Sequence, residues 1–125
     1  MAQVNRVLWH GDCLQTAALM ERGSVDLVYF DPPFMTGKER HGTRQEFVFD
    51  DQWQGDLASF LPWLQKRIAA VIPLVSRHGS LIVHLDHRTI HYVKVWLDQH
   101  LGVKTFVNEI IWHYTGGGRS RSRFS

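Results

Sequence analysis

The chain of 125 residues has one cysteine, Cys13, and so cannot close an internal disulfide. That excludes a disulfide-stapled secreted scaffold and makes a reducing cytoplasm the expected setting. Long apolar runs are missing too. No stretch approaches the roughly 18 residues a membrane span requires, and Pro62, Lys66, Arg67 and Pro73 interrupt the most apolar segment. Behind Met1-Ala2-Gln3-Val4-Asn5-Arg6 there is no secretory apolar region. No internal repeat is visible, and a formal net charge of +2 carries little information by itself. Its distribution says more. Lys38, Arg40 and Arg44 crowd one segment, and Arg119, Arg121 and Arg123 follow three glycines near residue 125. Basic loops of this kind meet phosphates or are simply solvated, and composition does not separate the two.

What is present is an alternation of short apolar runs and amphipathic stretches, in a length that fits one domain. Arg6–Trp9 reads as a short strand ending at Gly11-Asp12. Leu14, Ala17, Ala18 and Met20 recur at helical spacing, predicting a helix over Cys13–Glu21 closed by Gly23-Ser24. Val25–Phe30 reads as a strand buried on both faces apart from Asp26. From Asp56 to Leu74, apolar residues repeat at intervals of 3, 4 and 7, which predicts an amphipathic helix. Pro62 moves its expected start to Ser59 or Phe60, where a proline lies in the first turn. A second buried strand is expected at Ser80–Leu85, a helix over His87–His100 capped near Asp86 or His87, and a third strand at Phe106–His113. The pattern predicts an α/β three-layer sandwich around a mostly parallel sheet.

Residues 31–55 break this pattern, with Gly37, Gly42 and Gly55 punctuating a polar stretch that carries Phe47, Phe49 and Trp53. A loop of this length inside a compact domain is usually functional or disordered. It opens on Asp31-Pro32-Pro33-Phe34, directly after the strand. A carboxylate, a stiffened backbone and an aromatic ring together suit a flat, amino-bearing heterocycle. The same four residues also suit a strand stop with a packed phenylalanine. In open parallel sheets, ligands bind beyond the carboxyl ends of the strands. Gly11-Asp12-Cys13, Asp31–Phe34 and His84-Leu85-Asp86 are all expected there, as contributors to one site. His84, Asp86, His87 and His91 match no strong zinc pattern, and no metal is expected.

Gly11-Asp12-Cys13-Leu14, Ser24-Val25-Asp26-Leu27, Asp31-Pro32-Pro33-Phe34 and Thr36-Gly37-Lys38 resemble the opening of the amino-group DNA methyltransferases. The similarity continues through Gly79–Asp86, His91-Tyr92-Val93-Lys94, Asn108–Trp112 and Gly116–Ser120, covering essentially the whole chain. The order resembles the permuted β subclass, in which the catalytic tetrapeptide comes early. The resemblance implies a partial Rossmann-like methyltransferase fold. It also implies S-adenosylmethionine as methyl donor and the exocyclic amine of a flipped base in double-stranded DNA as acceptor. Adenine-N6 is favoured by the leading aspartate over N4-cytosine, whose enzymes more often show Ser-Pro-Pro. Asp31 and the Pro32 carbonyl are then implied as acceptors for the amine, with Pro33 stiffening the turn and Phe34 stacking on the base. Asp12, Cys13 and Asp31 are implied beside the cofactor, although Asp12 also suits a helix cap and Cys13 a small packed residue. Lys38, Arg40, Arg44 and Arg119 are implied as DNA phosphate contacts, with residues 115–125 a flexible basic tail.

The chain lacks the Phe-x-Gly-x-Gly loop that cradles the methionine part of the cofactor in such enzymes, and any target-recognition region. It therefore resembles the first portion of an enzyme, with an incomplete cofactor pocket. The expected sheet either has a gap or closes by pairing Arg6–Trp9 beside Val25–Phe30, and its exposed edge and apolar surface favour self-association. The alternatives are a non-catalytic nucleic-acid-binding remnant and an amino-methyltransferase acting on RNA or a protein amide. The latter usually shows Asn-Pro-Pro-Tyr and places its glycine loop first.

Overall fold

The computed structural model describes residues 6–35 and 56–113. Within them the chain forms α1 (Cys13–Ala18), β1 (Val25–Phe30), α2 (Leu57–Val71), β2 (Val75–Val83) and α3 (Ile90–Leu101). Single 3₁₀ turns follow α2 and α3. The expected active-site loop beyond Met35, the basic residues Lys38, Arg40, Arg44 and Arg119, and the tail 115–125 lie outside the described residues.

The two strands pair in parallel, as the alternation of strands and helices requires. From Leu27↔Ser80 to Phe30↔Val83 the ladder runs in step, and the His84 N–H extends it by donating to the Phe30 carbonyl at 2.8 Å. β2 starts five residues before the expected Ser80. Its first half is irregular, with Val25 opposite Val75. Gly79 makes that approach possible, because a Cβ there would lie 2.8 Å from the Val25 carbonyl oxygen.

Alternation assigns the two faces of the sheet. Val28, Phe30, Leu81 and Val83 point toward the helices and join two core clusters. One is built on Phe60, Leu64, Ile68, Val93 and Met35, and the other on Ala17, Val71 and Leu74. Leu27, Tyr29 and Ile82 point the other way and are exposed, Leu27 and Tyr29 both at 57%. The expected burial of β1 on both faces is thus corrected to burial on one face. The described residues supply two layers of the α/β sandwich.

α2 begins at Leu57, not at Ser59 or Phe60. The Asp56 side chain caps it, accepting from the Ala58 N–H at 3.1 Å and from the Ser59 hydroxyl. Pro62 then falls in the second turn, where it removes the hydrogen bond to the Ala58 carbonyl. Both residues face solvent, so water can satisfy that carbonyl. Phe60, Leu64, Ile68 and Val71 form the buried stripe. α3 starts at Ile90 with Thr89 at the cap, three residues later than expected. Asp86 instead organises the preceding turn, where its carbonyl accepts from the Thr89 and Ile90 N–H groups. α1 is shorter than Cys13–Glu21, ending at Ala18, and Gly23 turns the chain with φ of 69°.

Two expected strands are not strands. Arg6–Trp9 and Phe106–His113 are irregular, and neither pairs with β1 or β2. Leu8 is 97% exposed, and Val107, Ile110, Ile111 and Trp112 are also largely exposed. Apolar, β-branched composition raises strand propensity, but a strand is completed by its partner. No helix among the described residues is long and apolar enough to cross a membrane.

Candidate active site

The carboxyl end of β1 delivers Asp31 to one side of an open cleft of about 370 Å³. Asp12, Cys13, Tyr29, Phe30, Asp31, Pro32, Pro33, Trp63 and Arg67 line it. Asp12 and Cys13 come from the cap and first turn of α1, and Trp63 and Arg67 from α2. Two of the sequence clusters expected to share a site therefore do meet. His84, from the third cluster, reaches Asp31 with Nδ1 at 3.5 Å from Oδ1. Phe34 lies outside the cleft lining and packs edge-on against the His84 ring, centroids 5.2 Å apart.

The Asp31–Phe34 segment is held at both ends. At one end β1 fixes Phe30 through the His84 N–H. At the other, Met35 is buried in the main core with φ of 52°, an unusual conformation for a side chain of its size. Its carbonyl accepts from Arg88 Nη1 at 3.2 Å. Arg88 is in turn ion-paired to Asp86, with Nε to Oδ2 at 2.7 Å. Pro32 is buried, which leaves the segment little freedom to move.

Asp12 is held differently. Its Oδ1 accepts from the Leu14 N–H at 2.9 Å, capping α1, and its Oδ2 pairs with Arg67 Nη2 at 2.5 Å. The Leu14 N–H, and after it the Arg67 guanidinium, hold the Asp12 carboxyl below its ordinary range. Arg67 also lies over the Trp63 ring, 4.0 Å from its centroid, and donates to the Trp63 carbonyl. Burial, and after it the Asp12 charge, push the Cys13 thiol up, which keeps it protonated and unreactive.

Sequence reasoning did not single out Tyr29, Trp63, Arg67, Arg88 or Met35 as site residues. Trp63 and Arg67 are four apart in a predicted helix, a spacing that places them on one face, but nothing in the pattern said that this face meets Asp12.

Comparison with known proteins bears on what this cleft is for. Residues 25–125 match the family of N6/N4 DNA methylases. The chain belongs to this amino-group DNA methyltransferase family. It is 28% identical over 107 residues to the type II methyltransferase M.EcaI of Enterobacter cloacae, a match covering 85% of this chain and 23% of that protein. It is 26% identical over 113 residues to the DNA adenine methyltransferase YhdJ of Escherichia coli, covering 90% and 35%. With the type II methyltransferase M.HpaI of Haemophilus parainfluenzae the identity is 30% over 103 residues, covering 82% and 30%. The match thus spans about a quarter to about a third of the length of these methyltransferases. The matched region contains the Asp31–Phe34 segment and its supports, His84, Asp86 and Arg88.

Proposed function

We propose that this chain is the catalytic-motif part of a DNA methyltransferase that modifies the exocyclic amine of a base, adenine-N6 in preference to cytosine-N4. The observation that carries the reading is Asp31. Its carboxylate stands half-exposed beside the cleft, on a segment pinned at both ends, in a chain of this family.

An aromatic amine is a poor nucleophile because its lone pair is delocalised into the ring. Asp31 accepts one of its N–H bonds and the Pro32 carbonyl the other, drawing the nitrogen toward tetrahedral geometry and localising the lone pair. Acceptors fixed in advance act on the charge that develops at nitrogen, and the pinned segment aligns that nitrogen for attack. A stacked duplex hides the amine, so the base has to be flipped out. Phe34 supplies a stacking face, a kind of contact worth roughly 1–3 kcal/mol per base.

Bound S-adenosylmethionine would supply an electrophilic methyl carbon. The residues present fit its nucleoside end. Asp12 offers a carboxylate to a hydroxyl or amine, and Trp63 and Phe30 offer apolar walls. Nothing in the sequence corresponds to the glycine loop expected at its methionine end. The chain by itself is expected to bind the cofactor weakly or not at all, and not to turn over. Lys38, Arg40, Arg44 and Arg119 serve DNA phosphates in this reading, positioning the duplex without reading its sequence.

Calorimetry with S-adenosylmethionine, on this chain and on a version extended to the length of the relatives, tests the proposal. The extended version is expected to bind the cofactor and to methylate duplex DNA. Failure of the extended version to bind would sink the enzymatic reading in favour of a non-catalytic remnant.

A further inference from the structure

His84 presents one ring nitrogen to two oxygens. Its Nδ1 lies 2.8 Å from the Tyr29 hydroxyl and 3.5 Å from Asp31 Oδ1. The ring has neighbours on more than one side. Its own backbone extends the β1–β2 ladder, Phe34 meets it edge-on at 5.2 Å, and Trp112 stacks on it at 6.5 Å with 24° between the planes. Tyr29 comes from β1 and Asp31 from the segment after it. Phe34, from that same segment, and Trp112, from the chain after α3, bring no charge. A lone pair on that nitrogen accepts from the phenol but offers nothing to the carboxylate, whereas a proton there can be donated to the carboxylate.

We propose that His84 is a positioning residue for Asp31, and that its Nδ1 decides whether the Asp31 carboxylate is available to a substrate amine. The inference rests on the reading of Asp31 as amine acceptor. In the neutral ring the proton sits on Nε2, and Nδ1 accepts the Tyr29 hydroxyl proton. Asp31 then faces a nitrogen lone pair, gains no hydrogen bond from it, and keeps its acceptor sites for the amine. In the protonated ring Nδ1–H becomes a donor, and the carboxylate is a stronger acceptor than the phenol because the bond is charge-assisted. Asp31 swings onto His84, and the Tyr29 hydroxyl is released to water. The neutral ring thus does two things. It takes up the Tyr29 hydroxyl proton and offers Asp31 no donor of its own.

Nuclear magnetic resonance on the full 125-residue chain tests this without turnover. Long-range proton–nitrogen spectra at mildly basic pH are expected to show His84 with a protonated Nε2 and a bare, hydrogen-bonded Nδ1. Tyr29→Phe should remove the hydrogen-bond shift at Nδ1. On acidification, the Asp31 carboxyl carbon signal should step together with the His84 ring signals, and His84→Phe should abolish the step. If that variant does not fold, the wild-type titration alone decides. A proton on Nδ1 in the neutral ring overturns the proposal, as does an Asp31 signal that stays flat while His84 gains its proton. A chain that shows the coupled step while the extended version methylates nothing instead overturns the reading of Asp31 as amine acceptor.

Discussion

Two carboxylates line the same cleft, and the fold treats them in opposite ways. Asp12 spends its oxygens on the protein. One caps α1 through Leu14, and the other pairs with an arginine that is itself laid over Trp63. Among the described residues Asp31 is approached only by His84 at 3.5 Å, and its side chain is 53% exposed against 38% for Asp12. The backbone around Asp31, by contrast, is held by the ladder at Phe30, the buried Met35 and the Arg88–Asp86 pair. A fixed backbone under an uncommitted carboxylate suits a group that must accept from a ligand. A committed carboxylate on a short exposed helix suits a structural tie that a ligand meets secondarily.

The largest expected effect separates the two on activity. In the extended version, Asp31→Ala should lower methylation by about 10²–10³-fold, the scale of removing one preorganised group that stabilises developing charge. Cofactor binding by calorimetry should stay near wild type. Near-wild-type turnover in that variant would remove Asp31 from the mechanism and with it the contrast between the two carboxylates. Next in size is the support beneath Asp31. Arg88→Ala frees the Met35 carbonyl, and small misplacements of reacting groups are costly, so methylation should fall by about 10-fold. The melting temperature of the same variant tells a positioning loss from unfolding. A variant with normal Tm and normal turnover would mean that β1 and the buried Met35 suffice to hold the segment.

On stability the order reverses. Asp12→Ala removes a helix cap and an ion pair whose carboxylate is 38% exposed, for a combined cost of about 1 kcal/mol. Asp31→Ala should stay within about 0.5 kcal/mol, as is usual for exposed positions without a structural partner. Chemical denaturation of the two variants measures both. Equal losses would show that Asp31 is as structural as Asp12.

The sequence carried some of these differences and not others. β1 was legible residue for residue, because Val25–Phe30 is bounded by Gly23-Ser24 and by Asp31-Pro32. The stripe Phe60, Leu64, Ile68 and Val71 was legible from its period. Its start lies two residues before the earlier of the positions that Pro62 suggests, because the Asp56 cap holds the helix there. Arg6–Trp9 and Phe106–His113 have strand composition, but pairing partners are a property of the whole fold, and local pattern does not contain them. The same limit hid the bare sheet face of Leu27, Tyr29 and Ile82, since alternation says that a strand has two faces but not which neighbours cover them. The matched relatives are about two and a half to four times as long as this chain. Within the site, Asp31 and Asp12 stood out as motif residues. Tyr29, Trp63, Arg67 and Arg88 did not, because each earns its place through a contact across the fold.

The smallest effect is the one that reads the Asp12 tie directly. The Leu14 N–H and Arg67 lower its folded pKa beneath the ordinary value of 3.8. A carboxylate shifted this way binds fewer protons in the folded state than in the unfolded one, so its stabilisation is complete above the ordinary value. That stabilisation disappears as pH falls through the lowered folded value. Asp12→Asn keeps an acceptor for the Leu14 N–H but has neither the charge nor the titration. Asp56, lowered likewise by Ser59, titrates in both proteins and cancels from the difference. The Tm gap between wild type and Asp12→Asn should therefore be greatest at neutral pH and narrow below about pH 4, near the ordinary carboxylate range. High salt should shrink it as well, because the pair is partly exposed and screened. A gap that stays constant from neutral to acid pH would mean that the cap geometry alone stabilises α1. Asp12 would then have a charge to spare for a ligand, and the division of labour between the two carboxylates would need to be redrawn.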